Sequence, residues 1–268
     1  MIRSLSWGCG VQSTLLGELS AQGELPRLDV IITADTHFER RRTYEIREFY
    51  MERWRKMGMD VRVVSAGSVK VQGAEEHIHI PFWTDSGGPL QRQCTRHFKI
   101  VPIKHELRKI LGFDVSKSPH PPAESIEQWI GFTLDEYERM ERSRVQYLVN
   151  RWPFIEQGQT RNDCIQYFVD RRLPVPVKSA CIGCPYRLPS DWQDLKAGDE
   201  SEFEEAIEFD EKNRNNPLAV RNATTKDKLF VYKYVEPLKD ADLQKDAARE
   251  KKGKQLPLVT CEGGYCWI

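Results

Sequence analysis

The sequence lacks an excess of either charge: Lys plus Arg and Asp plus Glu number 40 each. No global field draws such a chain to nucleic acid or to a membrane surface, so any nucleic-acid binding must use a local patch. It also lacks a long apolar run. Nothing approaches the roughly 18 residues of a spanning helix, so no membrane partner is expected. Arg3 opens an apolar stretch that Trp7-Gly-Cys-Gly10 soon interrupts, which is not the pattern of a signal peptide. A cytoplasmic, reducing compartment is the expectation, and there the seven cysteines read as thiols or metal ligands before disulfides. Internal repeats are missing as well. At 268 residues, 40% hydrophobic and 30% charged, the chain has the balance of a folded protein, with room for one large domain and an appendage.

What is there is a β-α alternation. Residues 2–6 are a short apolar run, glycines follow, and residues 11–19 have helical spacing. Residues 28–33 form a near-continuous apolar run, as in a parallel strand buried on both faces. Residues 43–57 place Tyr44, Ile46, Phe49, Tyr50 and Trp54 in a charged background, which suits an amphipathic helix, and residues 61–64 make a third strand. Three β-α units in succession predict an α/β fold with a doubly wound, mainly parallel sheet, Rossmann-like, and a cysteine-containing C-terminal helical or irregular extension. Further on, residues 77–93 read as a long loop, 98–111 as a helix, 125–132 as a strand, 192–213 as a charged helical region and 229–235 as a strand. Residues 240–254 read as charged and exposed. The expected division is 1–140 for a nucleotide-binding domain, 141–214 for a cysteine-rich helical part completing a metal site, and 215–268 for an extension and tail.

The stretch Ser6-Trp-Gly-Cys-Gly-Val-Gln-Ser-Thr14 sits between the first strand and the first helix. A glycine-rich turn there lets backbone N–H groups and the helix N-terminus face an anion. Gly8 and Gly10 permit close approach, and Ser6, Ser13 and Thr14 offer hydroxyls. The Walker lysine is absent, which argues against that kind of nucleotide site. Gly8-x-Gly10-x-x-Ser13 imitates a dinucleotide fingerprint with Asp35 as its acidic partner, but Ser13 replaces the third glycine. Asp35 ends the second strand, where open α/β sheets bind ligands. Cys181-Ile-Gly-Cys184 is a two-residue gap that suits half of an iron–sulfur site, half of a zinc site or a redox dithiol. Arg92, Arg96, His97 and Lys99 surround Cys94, and Arg40–Arg42 follow the second strand; guanidinium groups match sulfate and phosphate oxygens bidentately.

Several motifs occur in one order: the loop itself; Ala34-Asp35-Thr36; Arg92-x-Cys94-Thr-x-x-Phe98-Lys99-Ile-x-Pro102; Trp129-Ile-Gly131 with Asp135-Glu136-x-x-Arg139; Thr160-Arg-x-Asp163-Cys164; and Lys178-Ser-Ala-Cys181-x-x-Cys184-Pro-Tyr-Arg187. From about residue 4 to about residue 214 this order resembles the phosphoadenosine phosphosulfate reductase family, in the pyrophosphate-loop, adenine-nucleotide α-hydrolase-like superfamily. The resemblance implies an oxidoreductase or sulfur transferase. It would bind an adenine nucleotide (ATP or an adenylyl sulfate) through Ser6, Gly8, Gly10, Ser13, Thr14, Asp35, Arg92 and Lys99. It implies a [4Fe–4S] cluster on Cys94, Cys164, Cys181 and Cys184, with zinc as the alternative metal, and an electron donor such as a thioredoxin-like protein or ferredoxin. Cys261 and Cys266, near the C-terminus, would supply the attacking thiol. Superfamily members that hydrolyse ATP usually carry an acid where this chain has Gln12, so a nucleotide bound as substrate or ligand is favoured. The alternatives are ATP-dependent thiolation or modification of tRNA or DNA, and a non-catalytic, metal-stabilised nucleotide-binding module.

Overall fold

The computed structural model describes residues 1–113, 119–218 and 227–252. Its centre is a five-stranded sheet built from β1 (Ile2–Ser6), β2 (Val30–Asp35), β3 (Val61–Ser65), β5 (Ile126–Trp129) and β6 (Leu148–Arg151). All neighbours are parallel, and the order is β3-β2-β1-β5-β6. The chain therefore winds outward from β1 through β2 to β3, then returns to the other side of β1. Strands this apolar are stable only when covered on both faces. One face, with Leu5, Ile31 and Trp129, packs under helices α1 (Val11–Gln22), α2 (Arg41–Lys56) and α5 (Arg161–Asp170). The other, with Val30, Ile32, Ile126 and Leu148, packs under Ile103 and Leu107 of α3 (Val101–Ile110). This is the expected α/β, doubly wound, parallel architecture.

A second core holds Phe38, Phe82, Phe98, Trp192, Phe209 and Tyr232, away from the sheet. Helices α6 (Pro189–Gly198) and α7 (Glu200–Asn213) surround it, joined at Asp199, whose side chain caps α7 by accepting from the Glu202 N–H at 3.2 Å. The single helical region expected over 192–213 is thus two helices. The loop expected over 77–93 contains β4 (Trp83–Thr84), paired antiparallel with β7 (Leu229–Phe230). The helix expected from 98 begins earlier, as a π-helical stretch Arg96–Ile100 running into α3. The terminal helix α8 (Leu243–Lys252), expected to be exposed, buries Leu243, Asp246 and Ala247; the Asp246 carboxylate accepts the Tyr232 hydroxyl at 2.8 Å. Short α4 (Pro153–Glu156) follows β6.

The contact between α1 and α2 fixes the first βα unit. α1 is buried nearly all round, so Glu18 is taken inside with it. Its carboxylate accepts from Arg53 at 2.8–3.1 Å, from the Trp54 indole at 2.9 Å and from Gln22 at 2.9 Å. Burial acts to raise the Glu18 pKa, but these donors outweigh it and hold the carboxyl below its ordinary range. Beside it, Gly17 leaves room for the Trp54 ring: a β-carbon there would sit 2.6 Å from the ring. Gly17→Ala should gain about 1 kcal/mol of helix propensity. Crowding the fully buried Trp54 should cost about 1–3 kcal/mol. The expected outcome is a lower urea midpoint; a midpoint equal to or above wild type would show that the close α1–α2 approach does not hold.

Candidate functional site

In an open parallel sheet a crevice forms where consecutive loops leave in opposite directions, at the carboxyl ends of the strands. Here that point lies between β1 and β5. The loop after β1 is Trp7–Gly10. Trp7 is fully buried, its backbone N–H donating to Ile32 O at 2.9 Å and its indole to the Thr14 hydroxyl at 2.9 Å. Cys9 is the left-handed residue of the turn, at φ 58°, which directs its sulfur inward to within 3.5 Å of the Thr33 hydroxyl. Burial pushes the Cys9 thiol up to about 12. Gly10 is extended and caps α1. Ser13 ties the turn together, accepting from Gly8 N–H and donating to Gly10 O, both at 3.3 Å.

The loop after β5 comes closer than any side chain would allow. A β-carbon on Gly131 would stand 2.5 Å from the backbone nitrogen of Ser13. Between the two loops lies a cleft of about 320 Å³, walled by Gly8, Gly10 and Ser13 on one side and by the β5–β6 connection on the other. Lys99, Arg139, Arg161 and Lys178 reach it, as do the carboxylates Asp135 and Glu136. Gln12, buried at the helix start, donates its amide to Glu136 at 2.9 Å and accepts from Arg161 at 3.1 Å. Asp135 accepts the Arg161 backbone N–H at 2.7 Å, and Glu136 pairs with Arg139. The cleft thus presents an amide-rich turn opposite several cations, which is chemistry suited to an anion of nucleotide size.

The residues named from sequence separate into groups. Ser6, Gly8, Gly10, Ser13 and Lys99 line this cleft. Thr14 turns inward and is fully buried against Trp7. Asp35 lines a neighbouring space of only about 10 Å³ behind the loop, with Cys9, Tyr44 and Arg47. Burial raises the Asp35 pKa, but the Arg47 guanidinium at 2.7 Å and the His37 N–H at 2.8 Å outweigh it and depress the carboxyl. Arg92 lies over the Tyr186 ring, 5.1 Å from its centroid, in a third space shared with cysteines.

That third space, about 50 Å³, is lined by Cys94, Cys181 and Cys184. The Cys181 turn is pinned to the chain after β2: Ile182 N–H donates to Phe38 O at 2.8 Å, and buried Arg187 donates to the carbonyls of Ala180, Cys181 and Ile182. Gly183 is required there, since a β-carbon would meet Phe209 at 2.5 Å. Burial also raises the Cys181 thiol, which lies 3.7 Å from the Glu39 carboxylate. Cys164 is not with them. It sits on the inward face of α5, fully buried in the core over Leu5 and Phe168, and burial pushes its thiol up to about 12. The four-thiolate set expected for a cluster or zinc is therefore not assembled, because the α5 position that carries Cys164 faces the sheet. Among the described residues no three His, Cys, Asp or Glu side chains converge on one metal position. Cys261 and Cys266 lie outside the described residues.

Gly131, Arg139, Arg161 and Lys178 were given no role from sequence, although all lie within the ordered motifs. Gly131 was legible in principle as a glycine directly after a strand beside β1; the cations were not, because their convergence depends on the strand order.

No family model and no curated protein matches the chain. Among solved structures it is similar to the phosphoadenylyl-sulfate (PAPS) reductase from Candida auris in its phosphate complex. The identity is 11%, the match covers 66% of this chain and 75% of that one, and the TM-score is 0.43. A likeness at that level transfers no activity.

Gly131→Ala tests the loop contact. The neighbouring atoms are backbone and cannot rotate away, so the variant should lose about 1–3 kcal/mol of stability. Crystallographic comparison should show the Gly10–Ser13 turn displaced. An unmoved turn at wild-type stability would mean that the two loops do not meet as described.

Proposed function

We propose that the chain binds an adenine nucleotide in the cleft between β1 and β5 and uses it in sulfur transfer or reduction, with an adenylyl sulfate as the substrate. The observation that carries the first half is the 320 Å³ cleft at the switch point, lined by Gly8, Gly10 and Ser13 of the turn and by Arg139 and Arg161. Backbone N–H groups and the α1 N-terminus take one side of the phosphate, and guanidinium groups take the other. The second half rests on the resemblance of the ordered motifs to the reductase family.

In the proposed reaction a cysteine thiolate attacks the sulfur of the adenylyl sulfate. The bond between that sulfur and the phosphate oxygen breaks, and the nucleotide monophosphate departs with the electron pair. A thiol of an external dithiol donor, such as a thioredoxin-like protein, then attacks the cysteine sulfur, leaving a disulfide and releasing sulfite. Thiolate is the reactive form, and burial keeps Cys9, Cys164 and Cys181 protonated. Cys261 and Cys266 are the proposed nucleophiles. Among the described residues Cys94, Cys181 and Cys184 line one space and Cys164 lies in the core of the sheet, and no step runs through a cluster or zinc.

Gly10 supplies the test of the nucleotide site. It is extended, and a β-carbon there meets nothing within 4 Å, so a side chain is accommodated by the protein alone. Gly10→Val should keep wild-type thermal stability while lowering calorimetric affinity for AMP, ADP and adenylyl sulfate by roughly a hundredfold, through blocked backbone approach. Unchanged affinity for all three would exclude the loop as the site. Separately, the double variant Cys261→Ser, Cys266→Ser should bind nucleotide and release no sulfite; full sulfite release would remove these cysteines from the mechanism.

A further inference from the structure

A larger cleft, about 460 Å³, opens on the other side of the β1–β5 junction. Its floor is the carboxyl ends of β1, β5 and β6, with the polar side chains of Ser6, Gln128 and Asn150. One wall is the helical stretch bearing Arg96 and Lys104. The other is the β5–β6 connection bearing Arg139, Arg142 and Arg144, with Glu141 as the one carboxylate. In a chain with no net charge, five cations facing one acid across a single groove are a strong local asymmetry. Arg139 and Arg144 have carboxylate partners, Glu136 and, at 3.9 Å, Glu141. Lys104 is half-buried with no carboxylate paired to it among the described residues. Burial and the nearby Arg96 and Arg144 together depress its pKa. Crowding cations around a partly desolvated ammonium is unfavourable unless an anion enters.

The two clefts share a wall: Ser6, Ile130, Phe132 and Arg139 line both. The smaller one is the cleft proposed for the nucleotide, so the basic groove is a second space, larger and with Arg96, Arg142 and Arg144 exposed at its rims. Cations on both walls, with amide side chains on the floor, suit a chain of phosphates with bases between them better than one small anion, which needs only a few convergent donors. We propose that this groove binds a single-stranded polynucleotide, its phosphates held by Arg96, Lys104, Arg142 and Arg144, at the same time as the nucleotide occupies the phosphate loop. The inference rests on the nucleotide reading for its second occupant only. The shared wall would place the strand beside the bound nucleotide.

The experiment is fluorescence anisotropy with a labelled single-stranded DNA 12-mer, in the presence and absence of saturating ADP, across a salt series. Binding should persist under ADP and weaken steeply with salt. Arg96→Glu with Arg142→Glu, both on exposed rims, should weaken the 12-mer roughly tenfold or more and flatten the salt slope, with ADP affinity within about twofold of wild type. Lys104→Gln should weaken it in the same direction without reversing a charge. Gly10→Val should leave the 12-mer bound. Absence of salt-dependent 12-mer binding, competitive displacement by ADP, or equal binding by the rim variant would overturn the groove; so would a parallel loss of ADP affinity in that variant, which would make the cleft part of the nucleotide site. If Gly10→Val still binds ADP while the 12-mer behaves as expected, the loop reading fails and the groove stands.

Discussion

The structure depends on how closely β5 can approach the start of α1. β1 is the central strand, and its two neighbours were added in opposite senses: β2 follows it directly, while β5 arrives after a long return. For the return to close, the chain leaving β5 must pass over the first turn of α1, where a hydrogen at Gly131 fits and a methyl group does not. That approach brings the β5–β6 connection over the phosphate loop. Without it, Gly8–Ser13 would be a bare turn at a sheet edge; with it, the turn becomes one wall of a cleft whose other wall carries arginines. The position of the site and the completion of the sheet are the same event.

Lys99 is where that cleft meets the rest of the molecule. It lines the nucleotide-sized cleft, the small space holding Asp35 and the cysteine-lined space. Its ammonium lies 2.9 Å from one oxygen of buried Glu39, to which the Thr36 hydroxyl and the Cys181 thiol also turn. The other Glu39 oxygen is buried without a hydrogen-bond partner among the described residues. A negative charge so placed steadies Lys99 and opposes ionisation of Cys181 at once, so the thiol region is electrostatically tied to the phosphate region. Burial first, and the Glu39 charge after it, hold Cys181 as a thiol.

The sheet was readable because its information is local. The 28–33 segment has the near-continuous apolar run that a central parallel strand needs, and Thr43, Ile46, Tyr50 and Trp54 repeat at helical spacing on the covered face of α2. β6 was not readable: Leu148-Val-Asn-Arg151 is short and half polar, because it is an edge strand. The loop glycines and serine were readable for the same local reason. The cysteine set was not. Order along the chain places Cys94, Cys164 and the Cys181 pair in successive motifs, but convergence is decided by which face of α5 is buried, and Cys164 shares the inward face with Phe168. The π-helical start of the α3 stretch and the exposed tip of the β5–β6 connection, which together make the basic groove, are likewise products of packing.

Gln12 is buried in the first turn of α1, at the edge of the cleft. Its amide carries no charge, yet the cleft is not free of carboxylates, since Glu136 reaches to 2.9 Å from that amide. Glu136 is paired with Arg139 and hydrogen-bonded to Gln12, while Asp135 accepts from Arg161 N–H. Both carboxylates are thus spent on orienting the wall that holds the arginines. Arg139 offsets the Glu136 charge, and Lys99 and Lys178 are paired with Glu39 and Asp191, so the field over the turn draws on Arg161 and the α1 N-terminus. A cleft organised in this way stabilises an anion directly, by amide and guanidinium donors, and its carboxylates serve that purpose by fixing the donors in place.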